Sequence, residues 1–294
     1  MELGRLGETM NVDDLRGQTS GWGGFGGMGP MAYGGGIRGG GMGFVGLIIM
    51  ALLYFAGSFT NSGSYDNQYS APAAQGTDQN SDAEFDFSRK IVWSLEQVWA
   101  PIMKARGVNF TPATITVYDD STPTACGQGE ASAGPFYCPN DSHIYLDLAF
   151  FQQLANQFGA PGQFAQAYVI AHEYGHHIQN LVGTMDKEQA ALEGDSAKGA
   201  TGASVRLELQ ADCYAGVWAW HANQQFAILD KGDIEGGLKA ASAVGDDTLE
   251  KQQQGYVVPD SFTHGTSAQR MRWFKRGFAR GDMDDCDTFD ASTL

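Results

Sequence analysis

The sequence predicts an α+β fold that is mainly helical, contains a small antiparallel sheet and follows one transmembrane helix. Three observations support this fold class. Apolar residues recur at helical spacing along several long segments after residue 85. Two short regions alternate apolar and polar residues, which is typical of strands. Residues 42–59 contain no charged residue, and this length is just enough to cross a bilayer as a helix.

The N-terminal part divides into three segments by composition. Residues 1–41 are predicted to be a disordered tail, because the Gly-rich second half would lose too much backbone entropy on folding. For residues 42–59, a buried core helix is the alternative to a transmembrane helix, but the flanking segments offer nothing for it to pack against. Residues 60–84 are polar and are predicted to be a flexible linker that leads into a domain of residues 85–294.

Charge gives the expected orientation and disfavours one class of partner. Arg38 lies just before the apolar segment, and Asp66 is the first charged residue after it. Positive residues favour the cytoplasmic side, so we expect a single-pass protein of the cytoplasmic membrane with its domain on the periplasmic or extracellular side. The 18 basic and 34 acidic residues give a net charge of −16, which disfavours nucleic acid as a partner. No feature of the sequence indicates an oligomeric state.

The domain of residues 85–294 is predicted to contain helices and a few strands. Its first helix follows from apolar residues such as Ile91, Leu95 and Ile102 at helical spacing. The stretch "ATITVYDD" (113–120) alternates and ends in acidic turn residues, so it predicts a strand. The further elements expected along the chain are a strand pair around 135–148 and helices at 149–158, 163–182, 203–226, 232–244, 246–253 and 267–280.

The stretch "AHEYGHHI", inside the helix expected at 163–182, carries the strongest chemical signal. His172 and His176 are four residues apart, so they lie on one face of a helix and can offer both imidazoles to one Zn²⁺ ion. Glu173 lies beside them and can act as a general base toward a water molecule on that metal. The alternative is a chance match to this pattern in a helix that binds no metal.

A tetrahedral zinc site with one open position needs a third protein ligand. His177 directly follows His176 and therefore points about 100° away around the helix, so the two cannot share a metal. A surface position or a supporting role is expected for His177 instead. Metzincins have a glycine and a histidine at the positions where this chain has Gln179 and Val182. The third ligand must therefore come from another segment.

An acidic pair in the helix expected at 203–226 supplies the best candidate. Glu208 would complete a site of two histidines and one glutamate, and Asp212, one turn later, can accept the spare N–H of a ligand histidine. The alternative for this pair is a solvated helix face, although its neighbours are largely apolar. Glu193 and Asp195 are competing candidates, but they lie in a stretch that is typical of a loop.

Hydrolysis also needs a donor for the oxyanion that develops in the transition state. His264, which precedes a glycine and the predicted helix cap at Thr266 or Ser267, lies at the end of a loop, where active-site residues often occur. Tyr256 is a second candidate, and a purely structural role is the alternative for His264. His143 and His221 have no partner pattern, and no role is assigned to them.

Four cysteines are present, and none of them forms a Cys-x-x-Cys pair, which disfavours a zinc knuckle or a thioredoxin-type site. Two disulfides can form if the domain lies in an oxidising compartment. The pairing we expect is Cys126 with Cys138, which closes a short Gly-rich loop, and Cys213 with Cys286. Spacing alone leaves free thiols as the alternative.

Several motifs taken together resemble one family. The stretches "GPFYCPNDSHIYLDLAFF", "AHEYGHHIQ", "RLELQADCYAGVWA" and "HGTSAQRMRWFKRGF" are similar to the neutral zinc metallopeptidases of bacteria. The resemblance covers about residues 85–290 and extends to the order of Gly-rich tail, membrane span and polar linker. It implies a gluzincin-like, zincin-type metallopeptidase fold in which a strand beside the site helix, one of the pair around 135–148, holds substrate backbone.

These observations favour a membrane-anchored zinc peptidase that acts on protein or peptide substrates. Zn²⁺ would be held by His172, His176 and Glu208, and Glu173 would activate the water. One alternative is a zinc-containing binding or scaffolding protein without hydrolytic activity. Another is a zinc amidase that acts on cell-wall peptides.

Overall fold

The computed structural model describes residues 1–18, 79–194 and 196–294, which form eight helices and two small sheets. The mainly helical character predicted from the sequence is therefore confirmed. The helices are α1 (Gln79–Ala105), α2 (Ala149–Asn156), α3 (Gln163–Leu181), α4 (Thr184–Leu192), α5 (Ala203–Phe226), α6 (Asp233–Ala243), α7 (Asp246–Gln254) and α8 (Ser267–Arg280). The strands are β1 (Val12–Asp14), β2 (Thr114–Val117), β3 (Ser121–Thr124), β4 (Gly127–Glu130), β5 (Phe136–Cys138) and β6 (His143–Leu146).

Helices α3 and α5 form the centre of the helical core, and small residues allow close packing around them. Gly175 of α3 faces Ala211 of α5, where an added Cβ would lie 2.9 Å from the Ala211 carbonyl oxygen. Gly277 of α8 meets α5 still more closely, because its Cβ would lie 2.0 Å from the carbonyl oxygen of Cys213. A larger residue at either glycine would push α5 away from its neighbour, and α5 and α3 carry the residues proposed as metal ligands.

One helix was not expected from the sequence. Helix α4 begins after Gly183, which has a positive φ of 76°, and none of its side chains is buried. The helix expected at 163–182 ends within one residue of its predicted end, at Leu181. Helix α4 was missed because its stabilisation comes from local hydrogen bonds rather than from an apolar face, and periodicity detects only such a face.

The main sheet has the strand order β1-β2-β6-β5 and is mixed. Strands β5 and β6 pair antiparallel, as the strand pair predicted around 135–148 requires, but β1 and β6 both run parallel to β2. The expectation of an antiparallel sheet is therefore wrong for most of this sheet and right for the separate hairpin of β3 and β4. Alternating side chains show which face of a strand is buried, and they carry no information about the direction of its partner.

Residues 1–18 belong to the folded domain, and the prediction of a disordered tail is wrong for this part. Leu6 is buried in the core, and the Leu15 amide donates to the Val117 carbonyl at 2.8 Å. The segment was misread because it is short and polar, and its strand is held by main-chain hydrogen bonds rather than by an apolar pattern. Helix α1 begins at Gln79, so the predicted linker of residues 60–84 also ends earlier than expected.

The predicted membrane span of residues 42–59 lies outside the described residues. Among the residues that are described, no helix combines the length and apolar character needed to cross a bilayer. Both expected disulfides are present, and the described part of the chain contains no free cysteine. One joins Cys126 to Cys138 at the end of β5, and the other joins Cys213 of α5 to Cys286 after α8.

Candidate metal centre

Helices α3 and α5 bring three buried donor groups together. His172 and His176 lie one turn apart on α3, and Glu208 projects toward them from α5. One Glu208 carboxylate oxygen lies 3.1 Å from His172 Nε2, and the other lies 3.4 Å from His176 Nε2. Ligand atoms of the three residues all lie within 4.8 Å of one another. The structure thus places together the three residues that the sequence proposed as metal ligands.

The spacing of these donors fits a tetrahedral zinc ion. Zn–N and Zn–O bonds of about 2.0–2.2 Å at tetrahedral angles separate neighbouring ligand atoms by roughly 3.3 Å. The two measured separations, 3.1 and 3.4 Å, are close to this value and belong to different oxygens of the Glu208 carboxylate. Both histidines also have their Nδ1 atoms engaged elsewhere, so that Nε2 is the nitrogen that faces Glu208 in each ring. Two imidazoles and one carboxylate leave one tetrahedral position open.

The ring of His172 is held by a buried ion pair. Asp212 of α5 lies 2.9 Å from His172 Nδ1 and also accepts a hydrogen bond from the hydroxyl of Tyr168. The guanidinium of Arg270 on α8 donates to both carboxylate oxygens of Asp212, at 2.8 and 2.9 Å. Burial alone would raise the pKa of Asp212, but the charges of Arg270 and His172 outweigh it and hold the pKa below its usual value. Asp212 therefore stays ionised and fixes the Nδ1–H tautomer of His172.

The ring of His176 is held by a neutral amide instead. Gln179 Oε1 lies 2.8 Å from His176 Nδ1, and Gln179 Nε2 donates to the Leu207 carbonyl on α5 at 2.7 Å. This side chain therefore connects a candidate ligand on α3 to the helix that carries Glu208. In the sequence, Gln179 served only to exclude the metzincin pattern. Its contact with the His176 ring was not predicted.

Arg270 was also missed by sequence reasoning, although a signal was present. It precedes Trp273, Phe274 and Gly277 by three, four and seven residues, so it shares the buried face of α8 with them. An arginine among the apolar positions of a helix needs a buried carboxylate. Asp212 is that carboxylate.

Glu173 lies beside the donor triad and lines a cleft that opens onto it. It is 9 % exposed, and burial raises its pKa above the usual glutamate value, an effect that the two neighbouring histidines oppose. A carboxylate with a raised pKa binds a proton more readily than an exposed one, which suits a general base. This is the role that the motif predicts for Glu173.

His177 points away from the triad and is fully buried rather than on the surface. Its Nε2 donates to the Thr111 carbonyl at 2.7 Å, and its Nδ1 lies 3.1 Å from the hydroxyl of Tyr137 on β5. Burial lowers the pKa of His177 to about 4. A neutral histidine therefore connects the site helix to the edge of the sheet, and its contacts are structural.

His264 lies on the cleft, as expected for a residue at a loop end. Its Nδ1 is 2.9 Å from Asp246 Oδ1, while Asp246 Oδ2 accepts the backbone N–H groups of Thr263, His264 and Gly265 at 2.8, 2.7 and 3.0 Å. Helix α8 follows, and its N-cap is Thr266, one of the two cap positions that the sequence suggested. Asp246 was not singled out from the sequence, because it precedes His264 by eighteen residues and only the fold joins them.

The other candidates lie elsewhere. Tyr256 is 62 % exposed and does not line the cleft. His143 is hydrogen-bonded to the Thr116 hydroxyl, and His221 donates a hydrogen bond to the Gly281 carbonyl. Both histidines therefore have structural contacts. Glu193 lies at the end of α4, outside the donor triad, and Asp195 falls outside the described residues.

The cleft above the triad has a volume of about 200 Å³. One wall is the segment 132–136 that leads into β5, and α2 with the turn after it adds further residues. Side chains of α7 and the His264 loop also line it. The residues in addition to the triad, Glu173 and His264 are Ser132, Ala133, Gly134, Pro135, Phe136, Phe150, Gln153, Gln157, Phe158, Tyr168, Val169, Val244, Leu249, Gln253 and Arg270.

Two imidazoles, a carboxylate and one open position beside a buried glutamate form the donor set of catalytic zinc sites in hydrolases. Comparison with known proteins gives the family that matches this class. Residues 1–289 match the model of a family described as "putative neutral zinc metallopeptidase", and the chain belongs to this family.

Curated relatives of this chain include three proteins that are named as uncharacterized. The protein YpfJ of Escherichia coli K12, named as uncharacterized, is 40 % identical over 288 residues, which is 97 % of each chain. The uncharacterized protein Mb2605 of Mycobacterium bovis is 43 % identical over 211 residues, or 68 % of this chain and 69 % of that one. The uncharacterized protein Rv2575 of Mycobacterium tuberculosis gives the same values. No solved structure matches the chain significantly.

Proposed function

We propose that the protein is a zinc-dependent peptidase that hydrolyses peptide bonds inside protein or peptide chains. The observation that carries this proposal is the position of Glu173, buried beside the His172, His176 and Glu208 triad at the cleft. A structural zinc site has four protein ligands and no use for a neighbouring base. Three donors with an adjacent glutamate favour a hydrolase over a binding or scaffolding protein.

The residues of the chain divide the chemistry between them. Zinc, when bound at the triad, polarises the substrate carbonyl and lowers the pKa of a water molecule toward neutrality. Glu173 accepts the proton of the attacking water and then delivers it to the leaving amine, so its carboxylate acts first as base and then as acid. Asp212 and Gln179 keep the two imidazoles in the tautomer that binds metal.

His264 is placed to support the oxygen that gains charge during the reaction. Asp246 holds Nδ1 at 2.9 Å, which leaves Nε2 as the ring nitrogen for the cleft. An imidazole held in this way directs this nitrogen toward the oxygen on which negative charge develops. This assignment retains the role that the sequence suggested and adds Asp246 as its positioning residue.

Strand β5 supplies a surface for the substrate backbone. It is the last strand in the order β1-β2-β6-β5, and the segment 132–136 that enters it lines the cleft. An extended peptide can add to such an edge through main-chain hydrogen bonds. Cys138 ends this strand, and its disulfide to Cys126 ties the strand to the turn before β4.

We also propose that the domain acts outside the cytoplasm. Two disulfides use all four cysteines of the chain, and such bonds persist in oxidising compartments. The cytosol would keep these thiols reduced.

The proposal is tested by changing Glu173 to Gln in the full chain, with Glu235→Gln, at an exposed position on helix α6, as a matched control. We expect Glu173→Gln to retain zinc at the wild-type content and to lose hydrolysis of an unfolded protein substrate by about 10² to 10⁴-fold. The control should cleave like the wild type. Wild-type cleavage by Glu173→Gln would contradict the mechanism. If only cell-wall peptides with amide cross-links are cleaved by the wild type, the enzyme is an amidase instead.

A further inference from the structure

The cleft contains little free charge, although the chain as a whole is strongly acidic. Beyond the triad and Glu173, the described residues that line it include no aspartate, glutamate or lysine. Arg270 is the one guanidinium there, and it is paired with Asp212 at 2.8 Å. The 34 acidic residues of the sequence therefore do not make this cleft a receptor for cationic substrates.

Aromatic and aliphatic side chains make up much of the remaining wall. Phe150 of α2 and Phe158 after it lie at one part of the cleft, with ring centroids 6.4 Å apart and planes tilted by 42°. Leu249 of α7 is an aliphatic residue of the same lining. Both phenylalanines are only partly buried. Their exposed ring surface faces solvent until a ligand covers it, and covering apolar surface favours binding.

Uncharged amides complete the lining. Gln153 follows Phe150 by three residues on α2, and Gln253 follows Leu249 by four on α7, so each helix presents an apolar group and an amide on one face. Within the described part of the chain, the side chains of Gln153 and Gln253 make no hydrogen bond. An amide can donate to and accept from a peptide main chain without favouring either sign of charge.

We propose that the cleft selects peptides that carry a large apolar side chain next to the scissile bond and excludes charged side chains there. This inference rests on the proposed peptidase function. A cavity of about 200 Å³ lies below the roughly 300–1,000 Å³ of small-molecule pockets, which suits one side chain rather than a whole ligand. A charged side chain placed against Phe150 and Phe158 would lose part of its hydration without gaining a partner, which disfavours its binding there.

The test is a cleavage profile of the zinc-loaded full chain on a peptide mixture of varied sequence. We expect large apolar residues to exceed Asp, Glu, Lys and Arg at one flanking position on the order of 10-fold or more. Phe158→Glu should reduce this preference and admit Lys and Arg, while Asn156→Glu, which is exposed and outside the cleft, should leave it unchanged. Cleavage without any preference in the wild type would overturn the inference alone. Absence of cleavage would overturn the peptidase proposal together with it.

A second inference rests on the N-terminal residues and is independent of the reaction. Strand β1 pairs with β2 in register from Val12↔Ile115 to Asp14↔Val117. Asn11 Nδ2 donates to Glu96 Oε1 of α1 at 2.8 Å, and Leu6 is buried in the main core. These contacts hold residues 1–18 within the same folded unit as the metal centre.

We infer that residues 1–18 lie on the same side of any membrane as the metal centre. Main-chain hydrogen bonds cannot form across a bilayer whose hydrocarbon core is about 30 Å thick. A single crossing by residues 42–59 would put β1 and β2 on opposite sides. This inference conflicts with the single-pass arrangement expected from the sequence, whose segment lies outside the described residues.

Labelling of introduced cysteines tests this inference in intact cells that make the full chain. Met10→Cys, at a position 86 % exposed, reports on the N-terminal segment, and Lys251→Cys, at an exposed position on α7, reports on the domain. The four native cysteines are paired and give no background. We expect a membrane-impermeant maleimide to label both introduced cysteines or neither. Labelling of one and protection of the other would overturn the inference.

Discussion

Asp212 and Asp246 each hold an imidazole Nδ1 atom at 2.9 Å, but different groups balance their charges. Asp212 is fully buried between α3, α5 and α8, and its counter-charge is the guanidinium of Arg270. Asp246 lies at the start of α7, and three consecutive backbone N–H groups from the His264 loop point at one of its oxygens. An aspartate that holds a histidine Nδ1 atom thus occurs once in the metal centre and once in the wall of the cleft.

The difference in counter-charge determines what each carboxylate stabilises. An ion pair in the interior stabilises only while both members are present, because removal of one leaves a buried charge without a partner. Backbone donors carry no net charge, so loss of the Asp246 charge leaves amide groups that another oxygen can still satisfy. We therefore expect changes at Asp212 to affect the whole core and changes at Asp246 to affect mainly His264.

The largest effect is expected for Asp212→Asn. This variant leaves Arg270, 3 % exposed, without a counter-charge, and breaking such a pair costs about 3–5 kcal/mol in the free energy of unfolding. It also removes the acceptor that fixes the His172 tautomer, so zinc affinity should fall about 10- to 100-fold. Urea unfolding of the metal-free protein and competition with a zinc chelator measure the two effects.

Asp260→Asn, at an exposed position, is the matched control for this change and should leave both quantities near the wild-type values. A stability loss below about 1 kcal/mol in Asp212→Asn, the size of an ordinary surface change, would show that Arg270 does not depend on Asp212.

A smaller and more local effect is expected for Asp246→Asn. The amide oxygen of asparagine can still accept the three backbone N–H groups, but its NH₂ group then faces His264 Nδ1 and cannot accept the Nδ1–H hydrogen bond that orients the ring. We expect kcat to fall about 10- to 100-fold, at or below the roughly 10²-fold loss that follows removal of an oxyanion donor, while zinc content stays unchanged. Steady-state kinetics with zinc analysis of the same samples separate the two carboxylates.

An equal loss of zinc in Asp246→Asn and Asp212→Asn would remove the distinction between the two sites. An unchanged kcat in Asp246→Asn would remove His264 from the mechanism. Asp260→Asn again serves as the control for a loss of aspartate charge on the surface.

The sequence predicted the metal centre better than its supporting groups. His172, His176 and Glu208 follow from helical spacing and from the ligand needs of zinc, and these are local rules. Arg270 and Asp246 act through contacts made by segments distant in sequence, so spacing could not pair them with His172 or His264. The sheet directions and the N-terminal strand were missed for the same reason, because they are set by tertiary pairing rather than by local pattern.

The smallest effect expected is the acid dependence of stability at Asp246, which tests whether the backbone donors act on its charge. Burial raises the pKa of Asp246, but the hydrogen bond and charge of His264 and the backbone donors outweigh burial and lower it below 3.8. A carboxyl whose pKa is lower in the folded state stabilises the fold at pH values above its pKa in the unfolded state. This contribution is lost as the pH falls through its pKa in the folded state. The wild type should therefore be more stable than Asp246→Asn near neutrality, and the gap should narrow below about pH 4. Thermal unfolding of metal-free protein from about pH 7 to about pH 3 measures this gap, because chelation removes the separate effect of metal release. A gap that stays constant over this range would mean that Asp246 stabilises the loop by shape and not by charge.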